Sequence, residues 1–317
     1  MNDGFLRKFA ESIIRKLFWI APWGVREIFF NAYLDINGPI HVFRQLAIKS
    51  KVKSIVIRGS YGDICGSPSD ASVLSKYAIT GTWAERTNQL LEDFFDEKGG
   101  GTYIDIGANI GLTTIPISTR NDVRCYCFEP EPTNYSYLVE NIRKNCKHQN
   151  VTTYNLAIYH EESELVFEKS PHNYGDHRIR LGQSISKLDE NNWETIKVAA
   201  VPLAQVISEI EKPLAVKIDT QGAEPYVILG GNSLLSNADL IIFEFSPYMM
   251  MRMGSDPKII LTFVKLFPKV AVALGESASV QTYVSGQEAA LILETFLKEN
   301  LEKSVGGYCD VICRSNG

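Results

Sequence analysis

The chain has 317 residues and a formal charge of −5 at pH 7, with 45% hydrophobic and 22% charged residues. This composition is typical of a soluble globular protein, and the length allows one large or two small domains. Lys and Arg are not concentrated in one stretch, so neither net charge nor charge distribution suggests a nucleic-acid partner. The six cysteines are scattered, which favours free thiols in a reducing compartment. With no secretory signal evident, we expect a cytoplasmic protein.

Residues 1–48 are predicted to be largely helical, and the apolar positions between 5 and 20 fall at helical spacing. The longest apolar run in this segment, residues 17–23, is too short to span a bilayer. Such a helix packs on its own domain or on a partner subunit, or it lies on an anionic membrane surface. Both interpretations stay open for residues 1–30, and with them an oligomer or a peripheral position at the inner face of the membrane. We assign residues 1–50 to an N-terminal helical extension and residues 51–317 to the main domain, with its core at 79–317.

Apolar runs and helical patterns alternate along the rest of the chain. Strands are predicted at residues 53–58, 102–106, 123–128, 151–158, 164–168, 195–201, 214–218, 239–245, 269–274 and 308–313. Helices are predicted at residues 83–95, from about 112, and at 133–147, 225–235, 257–267 and 287–302. The alternation predicts an α/β fold with a doubly wound, mostly parallel, seven-stranded sheet and helices on both faces. Ligands of such sheets bind outside the carboxyl ends of the strands.

The segment 101–111, GTYIDIGANIG, is the most informative stretch. Its apolar strand contains Asp105 and ends in a turn kept nearly bare by Gly107, Ala108 and Gly111 around Asn109. Such a turn lets a ligand approach main-chain N–H groups at a helix start. A dinucleotide fingerprint would have a glycine where Asp105 stands.

The next predicted strand ends on Glu129, twenty-four residues after Asp105. An acid about 20 residues beyond such a turn can accept both ribose hydroxyls of an adenosine. Glu129 therefore indicates an adenosine ligand without distinguishing a nicotinamide dinucleotide from S-adenosylmethionine (SAM). The alternative is that Glu129 only caps the following helix. Glu85 begins the helix before the turn, where it is either a ligand for an amino group or a surface acid.

A long polar loop separates the predicted strands at 164–168 and 195–201. It contains His172, Asp176, His177 and Arg178, and it is either a lid over a polar substrate or a solvated excursion. As a lid it is expected to hold the acceptor and not the cofactor. Further along the chain, strands end at or near two more carboxylates, Asp219 and Glu244. These carboxylates require cationic, hydroxyl or metal partners at the sheet edge.

Four blocks of the sequence resemble the FkbM-type methyltransferases: YIDIGANIGLTT, CFEPEPTNYSYLVENIRKN, VKIDTQGAE with its trailing LGG, and IIFEF. The resemblance covers roughly residues 79–250. It implies a SAM-dependent O-methyltransferase, commonly of a sugar or polyketide hydroxyl. By the same resemblance the glycine turn and Asp105 hold the methionine part, Glu129 holds the ribose, and Asp219 and Glu224 lie near the transfer site. The cofactor-binding set is completed by Glu85, Pro130 and Ala157.

A sugar hydroxyl is a weak nucleophile, so a base that accepts its proton should assist methyl transfer. Asp219 is the first candidate, His177 the second and Glu224 the third. Arg178, with His172, Asp176 and Glu244, is the predicted acceptor set, and its arginine would suit an anionic sugar. A Mg²⁺ ion on Asp219 and Glu244 is left open. Two alternatives to a saccharide O-methyltransferase remain: an NAD(P)-dependent oxidoreductase, and a catalytically silent scaffold of a glycan-assembly complex.

Overall fold

The computed structural model describes residues 46–180, 192–207, 210–274, 282–300 and 307–315. The predicted N-terminal extension lies outside the described residues except for its last positions, so the predicted domain limits stay a prediction. The strands of the described part are, in chain order, β1 (Ile55–Gly59), β2 (Gly62–Gly66), β3 (Gly101–Ile106), β4 (Val123–Phe128), β5 (Val151–Tyr154), β6 (Ala157–Ile158), β7 (Ser163–Lys169), β8 (Arg178–Ile179), β9 (Glu194–Val201), β10 (Leu214–Ile218), β11 (Leu240–Phe245), β12 (Lys269–Ala273) and β13 (Cys309–Arg314). From β1 onward, the helices of the described part are α1 (Val73–Thr80), α2 (Glu85–Lys98), α3 (Thr114–Ser118), α4 (Pro132–Asn145), α5 (Leu203–Val206), α6 (Glu224–Leu235), α7 (Pro247–Met253), α8 (Lys258–Val264) and α9 (Gly286–Asn300).

Seven strands form the central sheet in the order β12-β13-β11-β10-β3-β4-β5. All neighbouring pairs are parallel except those made by β13, which is antiparallel to both β11 and β12. The chain starts at β3, winds outward through β4 and β5, and then returns to build β10 and β11 on the other side. This arrangement confirms the predicted doubly wound sheet and places its switch point between β3 and β10.

Side chains alternate between the two faces of a strand, and in this sheet both sets are mostly apolar. Helices therefore cover both faces of the sheet. In β3, Ile104 and Ile106 pack into one cluster with Val227 of α6 and Leu293 of α9. Tyr103, which precedes Ile104, packs on the opposite face with the apolar side chains of α2. Both clusters are buried, so the layers fix the strand ends at which the site lies.

A second sheet, in the order β6-β9-β7-β8, is inserted between β5 and β10. The prediction of a single strand at 151–158 is wrong. The chain leaves the central sheet after Tyr154, and β6 then pairs with β9 of the second sheet. Asn155 occupies the break, and its side-chain amide donates to the carbonyls of Glu129 and Pro130. The predicted pieces at 164–168 and 195–201 are confirmed as β7 and β9, which pair antiparallel.

A hairpin of β1 and β2 and the helix α1 precede the central sheet. The sequence predicted only β1 here and treated residues 59–70 as turns. Asp70 begins α1 by accepting hydrogen bonds from the backbone amides of Ser72, Val73 and Leu74. Helix α7, in the methionine-rich stretch, was also missed.

Candidate active site

A cavity of about 660 Å³ opens at the carboxyl ends of the central strands. It is the site expected at a topological switch point. Ten of the predicted residues line it, namely Glu85, Gly107, Ala108, Asn109, Glu129, Pro130, Ala157, His177, Asp219 and Glu244. Six predicted residues do not line it: Asp105, Gly111, His172, Asp176, Arg178 and Glu224.

The backbone of the glycine turn, residues 107–111, packs against the ends of β4 and β10. Gly107 and Asn109 have positive φ angles of 82° and 52°. A Cβ at Gly107 would collide with the carbonyl oxygen of Asp219, so the turn packs directly on the end of β10. The N–H groups of Gly107 and Ala108 both donate to the carbonyl of Phe128. Contrary to the sequence-based expectation, these amides stabilise the turn and are not free to bind a ligand.

Asp105 stabilises the residues that follow the glycine turn and does not line the cavity. Its side chain is fully buried, and one carboxylate oxygen accepts hydrogen bonds of 2.6 and 2.7 Å from the hydroxyls of Thr113 and Thr114. The other oxygen lies 3.2 Å from Nζ of Lys217. Direct binding of the methionine part by Asp105 is therefore corrected to a positioning role.

Glu129 is placed as predicted, at the tip of β4 and facing the cavity. Its two carboxylate oxygens accept hydrogen bonds of 2.9 Å, one from the backbone amide of Asn109 and one from that of Glu131. Burial raises the pKa of Glu129 to about 8, against the two amide bonds, which lower it. A carboxylate fixed between two amides is oriented for further donors from a ligand.

Lys217 is a cavity residue that the sequence analysis missed. Its Nζ donates to the carbonyl of Gly107 at 2.9 Å and lies 3.7 Å from the carboxylate of Asp219. Burial lowers the pKa of Lys217, but the carboxylates of Asp105 and Asp219 outweigh burial and raise it. The signal was present, since Lys217 is the only charged residue in the strand LAVKI and is the cross-strand partner of Asp105.

Three carboxylates, Asp219, Glu244 and Asp310, line the cavity at the ends of neighbouring strands. The side chain of Asp219 is 42% exposed and accepts a hydrogen bond of 2.7 Å from Gln221. Burial, together with the charge of Asp219 and other nearby carboxylates, raises the pKa of Glu244 well above its usual range. Asp219 is thus an accessible carboxylate, whereas burial favours the neutral form of Glu244.

Glu224 is not placed to act as a base. One of its oxygens accepts from the amide and the hydroxyl of Thr220, and the other accepts from the amide of Gly222. Burial raises the pKa of Glu224 to about 7. These bonds shape the loop between β10 and α6, so the predicted catalytic role is corrected to a structural one.

The loop between β7 and β8 lies directly on the glycine turn. The carbonyl of Tyr174 accepts hydrogen bonds from the side-chain amides of Asn109 at 3.0 Å and Asn134 at 3.1 Å. Its backbone amide donates to Asp70 at 3.4 Å, which ties the loop to the start of α1. These contacts attach the loop to the glycine turn, to α4 and to the start of α1, and the expectation that it holds the acceptor stays a prediction.

His177 lines the cavity as a neutral side chain. Its Nδ1 accepts a hydrogen bond of 2.9 Å from the amide of Ser170, which leaves the single proton of the neutral ring on Nε2. Burial lowers the pKa of His177 to about 4. Nε2 is buried and has no hydrogen-bond partner in the described part of the chain. His177 is thus a hydrogen-bond donor, and the predicted role as a base is corrected.

The rest of the predicted acceptor set is directed elsewhere. Arg178 is buried, its guanidinium bonds to Glu168 at 3.0 Å and Asp176 at 2.7 Å, and it stacks on Trp193 at 4.6 Å. His172 is exposed and does not line the cavity. Arg178 and Asp176 form an ion pair with each other, and Arg178 also pairs with Glu168 of β7. These contacts stabilise the inserted sheet.

Within the described residues, no group of three or more His, Cys, Asp or Glu side chains is arranged to hold a metal ion. In the same part of the chain, none of the helices is both long and apolar enough to cross a bilayer.

The strand order and the cavity at its switch point define a doubly wound, Rossmann-like fold. Residues 105–269, slightly more than half of the chain, match the family model described as the methyltransferase FkbM domain. The chain belongs to the FkbM methyltransferase family.

Among curated proteins, the chain is similar to the hexuronic acid methyltransferase AglP of Haloferax volcanii. The two are 28% identical over 155 residues, which is 49% of this chain and 57% of that relative. The match thus spans less than two thirds of the relative's length.

Two solved structures show weak likeness. M. jannaschii TYW2 in complex with AdoMet is 12% identical, with a TM-score of 0.37 over 83% of this chain and 85% of that one. Precorrin-6y C5,15-methyltransferase from Geobacter metallireducens is 11% identical, with a TM-score of 0.33 over 68% of this chain and 81% of that one. The fold assignment depends on the strand order of the chain itself.

Proposed function

We propose that this protein transfers a methyl group from SAM to a hydroxyl of a saccharide. Family membership supports methyl transfer, and the relative named as a hexuronic acid methyltransferase supports a sugar acceptor. The observation that carries the proposal is the Glu129 carboxylate, which is fixed between two backbone amides and faces the cavity at the switch point.

The residues around Glu129 fit an adenosine. Asn109 and Asn134 both line the cavity, and each donates its side-chain N–H to Tyr174. Their side-chain oxygens are buried and accept no hydrogen bond from the described residues. Adenosine offers two ribose hydroxyls and an exocyclic amino group as donors. One fixed carboxylate and two unfilled amide oxygens form a matching set of acceptors.

SAM supplies an activated methyl group on a sulfonium, so the protein has to position the acceptor oxygen and take its proton. Asp219 is the best-placed base, because its carboxylate is accessible at the cavity and is oriented by Gln221. The Nζ of Lys217 lies 3.7 Å from the Asp219 carboxylate. Burial raises the pKa of Glu244, which favours its neutral form, and a neutral carboxyl can donate a hydrogen bond to the acceptor.

Replacement of Asp219 with Asn tests this assignment. Loss of a general base typically lowers turnover 10²- to 10⁴-fold. We expect a fall in kcat of about that size, with affinity for S-adenosylhomocysteine (SAH) within about threefold of wild type. SAH release is measured with SAM and a panel of neutral and acidic nucleotide sugars and lipid-linked glycans.

The matched control is Asp93→Asn, which removes an exposed carboxylate of α2 that does not line the cavity. It should keep most of the turnover if it still folds, as judged by its thermal midpoint. Wild-type turnover in Asp219→Asn would remove Asp219 from the role of base.

A further inference from the structure

Arg86, in the first turn of α2, lines the cavity with an unsatisfied guanidinium. Both of its terminal nitrogens are buried, and neither has a hydrogen-bond partner among the described residues. No described carboxylate lies within ion-pair distance of it, although Glu85 is its neighbour in sequence. An arginine cannot lose its charge in a protein, so a buried and unpaired guanidinium is costly until an acceptor arrives.

The guanidinium lies at the β13 side of the cavity. Burial raises the pKa of the Tyr283 hydroxyl, whereas the nearby guanidinium groups of Arg314 and, to a smaller extent, Arg86 lower it. Tyr283 packs on a cluster that includes Ala271 of β12 and Ile312 of β13. Asp310, from the start of β13, lines the same cavity.

Glu129 lies at the other side, at the end of β4. Four strand spacings separate β4 from β13 in the sheet order, which is roughly 19 Å. The side of the cavity at Glu129 fits the nucleoside. The side at Arg86 is therefore the region beyond the proposed base Asp219, where the acceptor has to lie.

We propose that Arg86 binds a carboxylate of the acceptor and so selects an acidic sugar, of the uronic acid class. This inference rests on the proposed function. Guanidinium matches a carboxylate with two parallel hydrogen bonds, which Lys cannot reproduce. The sequence had assigned such a group to Arg178, but Glu168 and Asp176 already occupy that side chain.

The methionine end of SAM also carries a carboxylate, so the experiment has to separate the two sources. Arg86→Gln and Arg86→Lys are prepared in the full chain. The control is Arg143→Gln, which removes an equal charge from an exposed position of α4 outside the cavity. Binding of SAH, of D-glucuronate and of D-glucose is measured by calorimetry, the sugars in the presence of SAH. Turnover is measured on paired glucuronate- and glucose-terminated glycans.

We expect wild type and Arg143→Gln to prefer the acidic sugar. Arg86→Gln should weaken glucuronate binding roughly ten- to hundred-fold, the size expected for charge-assisted hydrogen bonds. Its affinity for SAH and for glucose should stay unchanged, and Arg86→Lys should recover only part of the loss. On the glycans, KM for the acidic member should rise and kcat should change little.

Three results overturn the inference. Equal loss of SAH binding in Arg86→Gln would show that Arg86 holds the cofactor carboxylate. Unchanged glucuronate binding in Arg86→Gln, or no preference for glucuronate in wild type, would show that no acceptor carboxylate binds there. If the wild-type protein binds glucuronate through Arg86 but does not bind SAH, the proposed function is refuted, whereas the carboxylate-binding role of Arg86 still holds.

Discussion

The ionisation of Glu129 should control binding of the adenosine part of the cofactor. Burial raises its pKa to about 8, so near neutral pH most molecules carry a protonated carboxyl. Ribose hydroxyls donate hydrogen bonds, and the ionised form accepts them better. Affinity should therefore increase as the pH rises through 8.

The magnitude follows from the fraction ionised. At pH 6.5, about 1.5 units below the pKa, roughly 3% of the Glu129 carboxyls are ionised, and at pH 9 most are. If only the ionised form binds, the dissociation constant should be about thirtyfold larger at pH 6.5 than at pH 9. The fold itself should be intact at both values, which circular dichroism checks.

The assay is calorimetry with 5′-methylthioadenosine, which shares the adenosine but has no amino-acid group that titrates in this range. Glu129→Gln is the control, because it keeps the side-chain shape and removes the charge. It should bind roughly ten- to hundred-fold more weakly at pH 9 and show a flat pH profile. A flat profile in wild type, or an equally steep one in Glu129→Gln, would refute the role given to Glu129.

Two further variants test the turn and the loop above it. In Gly107→Ala the added Cβ would collide with the backbone of Asp219 at a position with positive φ, so the free energy of unfolding should fall by several kcal/mol. The control is Gly99→Ala, which also has a positive φ, 76°, but has open space around the added Cβ. It should lower the free energy of unfolding by only about 1–2 kcal/mol, measured by denaturant unfolding. Similar midpoints for the two would mean that the turn does not pack on β10. The pKa of His177 is lowered from 6.5 to about 4 in the folded protein, so the unfolded chain binds more protons between these values and stability should fall as pH drops through that window. His177→Gln should remove about 2–3 kcal/mol of this pH dependence, and an unchanged dependence would contradict the neutral, buried assignment.

The central sheet was predictable because its strands are buried on both faces and are therefore nearly continuous apolar runs. Residues 214–218 are one example, and the structure forms β10 there with every residue buried. The position of Glu129 was predictable for a related reason, since a strand that ends on an acid places it at the ligand edge. What failed was the direction of side chains, as Asp105 shows. The strand that contains Asp105 was predicted correctly. The sequence of a strand does not show, however, that this side chain would point toward the hydroxyls of Thr113 and Thr114.

The inserted sheet was harder to predict, because its partners are distant in sequence. Arg178 looked like a substrate ligand in a polar loop, yet β8 pairs with β7 and brings it to Glu168. Charged residues in a loop give no signal of such pairing. Arg86 was missed for the opposite reason, since an arginine in a helix's first turn is an ordinary surface residue until the fold buries its nitrogens.

A calorimetric titration of the full chain with SAH, NAD and NADP tests the central claim most directly. The account predicts that SAH binds, that the two nicotinamide dinucleotides do not, and that Glu129→Gln weakens the SAH signal. Binding of NAD with a silent SAH titration would contradict the account and favour an oxidoreductase. A protein that binds none of the three would contradict it as well, and would favour a scaffold without turnover.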